Sequence, residues 1–216
     1  MTPKNLIRVK EHWRIEKEEK ARVHYLNDVN DPFTVSFFGV VPDIQADIDN
    51  EADLRSFYRR FAESCGVALI EVDVRELDGV KAVRSIVKAK QSTLGDIYVG
   101  GYTLPFYDCS IVMRIQCLEN PHNLGARQAA VKKRYEGRPD WEEDPYDPTY
   151  RGKPMRNQSD DERYDADFPD HPLTRVRRYL ADLPKQIDID PGIKALPPFV
   201  YDPSRVPKKP WWKFWV

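Results

Sequence analysis

Alternating apolar and polar residues predict that a β-sheet forms the centre of this chain. Between residues 108 and 119 every second side chain is apolar, whereas Ser110, Arg114 and Gln116 fall between the apolar positions. A period of two is typical of a strand with one buried face. We therefore expect a central strand whose inward residues are Cys109, Ile111, Met113, Ile115 and Cys117.

The same period predicts neighbouring strands before this one. Asp78 and Gly79 separate two alternating runs, and this dipeptide suits a tight hairpin turn with positive φ. The pair Gly100 and Gly101 predicts a bulge or a close approach of another part of the chain. The predicted strands lie at residues 33–41, 67–77, 80–90 and 96–104, and a first hairpin or strand in 7–26 is expected to turn Trp13, Ile15, Val23 and Tyr25 inward.

Helical spacing appears in three places. Asn50 or Asp49 can cap the first helix, and Gly66 can end it in a left-handed conformation. Asn123 can cap a second helix that ends near Gly137. A third amphipathic helix is expected between Pro172 and Pro184, with the option of packing on the core. The apolar positions of the first helix are Leu54, Phe57, Tyr58, Phe61 and Cys65, and those of the third are Leu173, Val176, Tyr179, Leu180 and Leu183.

These elements predict an α+β fold, an antiparallel sheet flanked by helices, followed by a long Pro-rich C-terminal extension. Of the 18 prolines, 13 lie after residue 138, where both periodicities weaken. We therefore divide the chain into a core domain with a basic N-terminal arm at 1–138 and a Pro-rich, acidic extension at 139–216.

The extension begins with an acidic stretch, residues 139–170, that is the main candidate for partner binding. Residues 139–170 carry eleven acidic side chains against four Arg or Lys, interleaved with aromatic residues. The segment is either a solvated linker or a surface that steers a basic partner by charge and holds it with aromatic anchors. The partner-binding residues that we predict in it are Trp141, Glu142, Glu143, Asp144, Asp160, Asp161, Glu162, Tyr164, Asp165 and Asp167.

The C-terminus is a second candidate, because Trp211, Trp212, Phe214 and Trp215 lie within six residues. A patch of this kind is rarely left in water. It either attaches the C-terminus to the core or docks on a partner or membrane surface beside nearby lysines. Trp211, Trp212 and Trp215 are therefore predicted partner-binding residues.

Composition excludes several classes of function. The net charge of -1 gives no overall attraction to nucleic acid, and no apolar run is long enough to span a membrane. The three cysteines do not form a disulfide framework, since Cys109 and Cys117 on one strand would lie about 26 Å apart at about 3.3 Å per residue. We expect a cytoplasmic protein without metal or cofactor, because the four histidines are isolated and no zinc, calcium or phosphate motif occurs.

Enzymatic activity is a weaker hypothesis. Asp73 and Glu76 lie on or near one strand, and two carboxylates can serve as acid and base when they share a cleft. A hydrolase is therefore the first alternative to a binding function. A structural subunit anchored by the Trp-rich tail is the second.

The order of elements resembles the PsbP/DcrB-like fold over residues 30–135. The segments that carry the resemblance are Tyr98–Phe106, Ser110–Met113 and Gly125–Gln128. The resemblance implies an antiparallel sheet flanked by helices and, by analogy, a binding role, since members include photosystem subunits, regulators of small GTPases and chaperones of secreted toxins. We therefore expect a protein-binding module, such as the immunity protein or effector chaperone of a bacterial toxin system, whose partner is a basic toxin or effector.

Overall fold

The computed structural model of the chain describes residues 3–10, 13–91, 95–119, 121–122, 124–138, 141, 150 and 156–205. Its strands are β1 (Ile7–Val9), β2 (Arg14–Glu19), β3 (Arg22–Leu26), β4 (Pro32–Phe38), β5 (Ala68–Leu77), β6 (Val80–Gln91), β7 (Gly95–Pro105), β8 (Ser110–Leu118) and β9 (Ile187–Ile189). Its α-helices are α1 (Pro3–Leu6), α2 (Glu51–Ser64), α3 (Ala126–Arg134), α4 (Pro172–Gln186) and α5 (Pro191–Lys194).

One antiparallel sheet organises the molecule, with the strand order β2-β3-β4-β8-β7-β6-β5. A smaller sheet pairs β1 with β9. The predicted α+β class with helices on an antiparallel sheet is confirmed. Among the described residues, no helix has the length and hydropathy needed to cross a membrane.

The central strand forms where the alternation predicted it. The five inward residues of 109–117 are all buried, and Met113 and Cys117 have no exposed surface. Asp78 and Gly79 form the hairpin turn between β5 and β6, with φ of 48° and 81°. At the first hairpin the prediction is wrong for Ile15, which is 40% exposed, because it lies on the edge strand β2, whose six residues are all exposed.

Helix α2 begins and ends as its sequence predicts. The Asn50 side chain accepts a hydrogen bond from the Asp53 amide, which satisfies one of the free N–H groups of the first turn. Gly66 follows the helix with φ of 69°. Leu54 and Ala62 are the buried residues of α2, and they pack against β5.

The other helices differ in detail from the prediction. Asn123 lies outside the described residues, and the residue that precedes α3 is Gly125, with φ of 66° and no side-chain cap. Pro184 does not end α4, which continues to Gln186.

Helix α4 lies on the face of the sheet opposite α2. A β-carbon on Gly100 of β7 would lie 2.3 Å from Cγ1 of Val176 and 2.8 Å from Cδ1 of Leu180. The glycine therefore permits the close approach of helix and sheet that the sequence indicated. It does not form a bulge, since the pairing of β7 with β6 and β8 is regular there.

The division of the chain at residue 138 does not separate two hydrophobic cores. Leu173, Val176, Leu180 and Leu183 of α4 belong to the same buried cluster as Met113 of β8. Helix α4, which belongs to residues 139–216, is thus packed on the sheet that residues 1–138 form.

Candidate functional site

Residues 156–168, which we call the acidic segment, are folded against the sheet rather than extended. Asp160 lies at its centre and is 1% exposed. Its carboxylate lies 2.5 Å from Nζ of Lys88 on β6 and accepts a 3.3 Å hydrogen bond from the hydroxyl of Tyr98 on β7. Burial acts to raise the pKa of Asp160, but the charge and hydrogen bond of Lys88 and the amide of Asn157 lower it overall.

Of the other four carboxylates in residues 156–168, those of Asp161, Asp165 and Asp167 have partners within the protein. Oδ1 of Asp165 accepts 2.8 Å hydrogen bonds from both Arg127 and Arg177. Asp161 pairs with Arg163 at 2.6 Å, and the half-exposed Asp167 pairs with Arg134 at 2.9 Å. Glu162 is exposed. Charge that was expected to steer a partner is mostly neutralised by the protein's own arginines.

Arg127 of α3 holds this arrangement together. Its guanidinium is buried and donates to the carbonyls of Ser159 and Asp161, to the Asp165 carboxylate and to the Thr174 hydroxyl. A single side chain thus links α3, the acidic segment and α4. A group with this many internal partners has a structural role.

The aromatic residues of the acidic region also face inward. Tyr164 is buried in a cluster with Val131 of α3 and with Tyr135, which follows that helix, and its hydroxyl donates to that of Tyr135 at 3.3 Å. The ring of Trp141 packs on Tyr135 with centroids 5.8 Å apart. These two residues are internal packing residues in this conformation, because the surface of α3 supplies the apolar partners that we assigned to another protein.

Several predicted partner-binding residues lie outside the described residues, so their roles stay predictions. These residues are Glu142, Glu143, Asp144, Trp211, Trp212 and Trp215.

The carboxylates of the hydrolase hypothesis do not converge. Asp73 is bound by Arg84 and by Arg75, at 2.6 Å and 3.0 Å. Glu76 is exposed and lies three residues further along the same strand, so it points to the opposite face. Among the described residues no cluster of three or more His, Cys, Asp or Glu side chains is arranged to hold a metal ion.

An open groove lies on the other side of the sheet, between α2 and strands β6, β7 and β8. We call it the α2 groove. Its volume is about 520 Å³, and Phe57, Tyr58 and Phe61 line it from the helix. The rings of Phe57 and Phe61 lie 6.2 Å apart. Burial raises the pKa of Tyr58, the charge of Asp43 raises it further, and a hydrogen bond to Thr103 acts against both.

The floor of the α2 groove is an apolar surface of the sheet. Val87 and Ala89 of β6 and Ile97 and Val99 of β7 line it, and all four are partly exposed. Alternate residues of a strand lie on the same face of a sheet. Val87 pairs with Val99 and Ala89 pairs with Ile97 across β6 and β7, so all four residues lie on one face. Helix α2 packs on β5, so it leaves this part of the sheet open.

Sequence reasoning missed this groove for a specific reason. The apolar spacing predicts the amphipathic helix α2, but it does not show that Phe57, Tyr58 and Phe61 are only partly buried. A stripe that covers a core and a stripe that lines a cleft have the same period of 3.6 residues. Periodicity therefore identifies the helix but not the use of its surface.

A second cavity adjoins the α2 groove, and we call it the basic pocket. Its volume is about 230 Å³. It shares Val112, Arg114 and Gln116 of β8 with the α2 groove, so the two cavities are adjacent. The other polar residues that line it are Arg22, His24, Thr34 and Ser36.

No known protein family matches the sequence, and no curated protein matches it. Among solved structures, a crystal structure from Bacteroides thetaiotaomicron VPI-5482 matches with a TM-score of 0.34, 9% identity and 53% of this chain covered. The match spans 38% of that protein's chain. A likeness at this level supports no conclusion about function, and the resemblance to the PsbP/DcrB-like fold stays a prediction.

Proposed function

We propose that this protein is a non-catalytic binding module, and that the α2 groove receives a short apolar segment of a partner protein. The observation that carries this proposal is the partly exposed apolar floor beneath the aromatic residues of α2. Aromatic side chains in partly desolvated clefts supply much of the affinity in protein interfaces. Helix-lined apolar grooves are also a common way to bind peptide segments.

A peptide segment suits this groove better than a compact small molecule. The cavity is open along the sheet and adjoins the basic pocket at the shared β8 residues. An elongated occupant could bury Phe57 and Phe61 while its end reaches Arg114. Buried clefts enclose most of a small ligand's surface, whereas this groove leaves one side uncovered.

An immunity protein or effector chaperone of a bacterial toxin system remains the biological role that we propose, because both act by stoichiometric binding. The structure changes what the partner should present. The described carboxylates are mostly paired internally, so an apolar segment is a better match than the basic surface expected from the sequence.

Selection from a displayed peptide library tests the proposal. The floor variant Val99→Asp places a charge on the groove, and Val29→Asp is the matched control because Val29 lies in a turn and is 63% exposed. We expect the wild-type protein to enrich apolar peptides that bind Val29→Asp equally well and Val99→Asp at least about tenfold more weakly, which is about 1.4 kcal/mol. Peptides that bind all three proteins equally, or an absence of enrichment, would overturn the proposal.

A further inference from the structure

The basic pocket concentrates positive charge and hydrogen-bond donors at one point of the sheet. Arg22 of β3 lies opposite Ser36 of β4, and Arg114 of β8 lies opposite Thr34. Because these are aligned strand positions, the two guanidinium groups stand on either side of β4, on the same face of the sheet. Nε of Arg22 donates to the Ser36 hydroxyl at 2.9 Å, which fixes the position of its side chain.

Among the residues that the structure describes, the ionisable side chains that line this pocket are all basic, namely Arg22, His24 and Arg114. Burial lowers the pKa of Arg114, and the positive charge of Arg22 lowers it further. Glu19 lies 4.0 Å from His24, but it binds Lys17 more closely, at 2.6 Å. The guanidinium groups of Arg22 and Arg114 are close enough to influence each other, and a bound anion would interact favourably with both.

We infer that the basic pocket is an oxyanion site that takes a carboxylate or phosphate group. Guanidinium groups bind such groups through paired N–H donors, and hydroxyl and amide side chains add further donors. Thr34, Ser36 and Gln116 supply these groups in the pocket. The cavity of about 230 Å³ is large enough for one such group with bound water.

The site also adds a chemical requirement to the ligand of the α2 groove, and this part rests on the proposed function. Since Arg114 and Gln116 line both cavities, an anionic group in the basic pocket would lie at one end of an apolar segment in the groove. The preferred occupant is then an apolar peptide that ends in an acidic residue, a terminal carboxylate or a phosphorylated residue.

The inference can be tested on the full chain without any peptide. Acetate and inorganic phosphate are titrated separately while amide chemical shifts are recorded, with sodium chloride at matched ionic strength as the reference. We expect saturable shifts at Thr34, Ser36 and Arg114 that chloride does not produce. The tighter of the two anions identifies the group for which the pocket is built.

Two variants each remove one positive charge from the basic pocket, and a third variant serves as a control. Arg114→Gln and Arg22→Gln should each weaken anion binding at least about tenfold, whereas Arg178→Gln should not, because Arg178 is exposed on α4. If one pocket variant fails to fold, the other decides. Shifts that do not saturate, that chloride reproduces, or that persist in a folded pocket variant would overturn the inference.

The two proposals can fail separately. Apolar peptides without acidic groups report on the α2 groove alone, and free acetate and phosphate report on the basic pocket alone. If acetate and phosphate do not bind but neutral apolar peptides do, the oxyanion site is excluded and the proposed function stands.

Discussion

The two faces of the central sheet differ in how far they are covered. On one face, α4 and the acidic segment cover the strands, and Asp160 and Arg127 are buried within ion pairs and hydrogen bonds. On the other face, α2 covers β5 and leaves Val87 and Val99 partly exposed at the floor of the α2 groove. The apolar residues of α4 and the paired charges of the acidic segment close one face, whereas the other face carries the partly exposed α2 groove and the basic pocket.

The difference shows that most of the described charge of the acidic segment has partners within the protein, whereas the apolar residues of the α2 groove are partly exposed. In the sequence most carboxylates of the acidic segment have no evident basic partner, because partners such as Arg127 and Arg177 lie elsewhere in the chain. Once folded, those partners neutralise it. The surface that remains available is built from ordinary valines and phenylalanines that resemble core residues.

The largest expected effect comes from placing the same charge on each face. Met113→Asp puts a carboxylate where the side chain has no exposure, and we expect a loss of about 4 kcal/mol or more in the free energy of unfolding. Val99→Asp, on the adjacent strand but in the open groove, should cost less than about 1.5 kcal/mol because water still reaches it. Urea denaturation measures both, and equal losses would show that the groove is as buried as the core.

The second prediction compares two ion pairs of the acidic segment. Asp160→Asn leaves Lys88, which is 11% exposed, without its charge partner, and should destabilise the protein by about 3 kcal/mol. Asp167→Asn breaks the half-exposed pair with Arg134 and should cost at most about 1 kcal/mol. Thermal denaturation of both variants checks this. A small effect at Asp160 would mean that the segment is not held on the sheet.

Much of the fold follows from local sequence. The alternation of Met113 and its neighbours, the turn at Asp78 and Gly79, and the Asn50 cap depend on residues close together in the chain, so they can be recognised without knowing the structure.

The pairing of the acidic segment could not be predicted in the same way. Asp160 and Lys88 are 72 residues apart, and Arg156 donates to the carbonyl of Ile70 across 86 residues. Neither the hydrophobic pattern nor the composition of the sequence reveals contacts between residues so far apart. Low apolar content indicated a linker, but polar residues with internal partners can be buried without apolar periodicity. The basic pocket has the same origin, because Arg22 and Arg114 meet only through the order of the strands.

The third prediction concerns the contact that closes the α4 face. Gly100→Ala introduces a β-carbon too close to Val176 and Leu180, so the helix must shift, at a cost of about 2 kcal/mol. Gly39→Ala is the control, since its β-carbon would make an ordinary contact at 3.5 Å with Phe37. The unfolding free energies of the two variants give the comparison. An unaffected Gly100→Ala variant would contradict the close packing of α4.

The smallest predicted effect is a pH dependence on the closed face. Nδ1 of His171 accepts a 3.2 Å hydrogen bond from the Leu173 amide and caps α4. Burial lowers the pKa of His171, against the opposing hydrogen bond of Glu119. The unfolded chain therefore binds a proton more readily, so stability is highest above a pH of about 6.5 and falls as the pH drops below it.

His171→Asn keeps a cap that does not titrate, and it should reduce the loss of stability between about pH 7 and pH 5. His171→Ala loses the cap and should cost about 1 kcal/mol at neutral pH. Denaturation curves across this pH range measure both. An asparagine variant with the wild-type pH slope would exclude His171 as the source.

Amide hydrogen exchange with and without the selected peptide tests most directly whether the open face is the binding surface. We predict that the peptide slows exchange in α2 near Phe61 and in β6 and β7 around Val87 and Val99, and that it leaves residues 156–168 unchanged. Protection confined to the acidic segment, with none along the α2 groove, would contradict the account and would place the interface at the acidic segment instead.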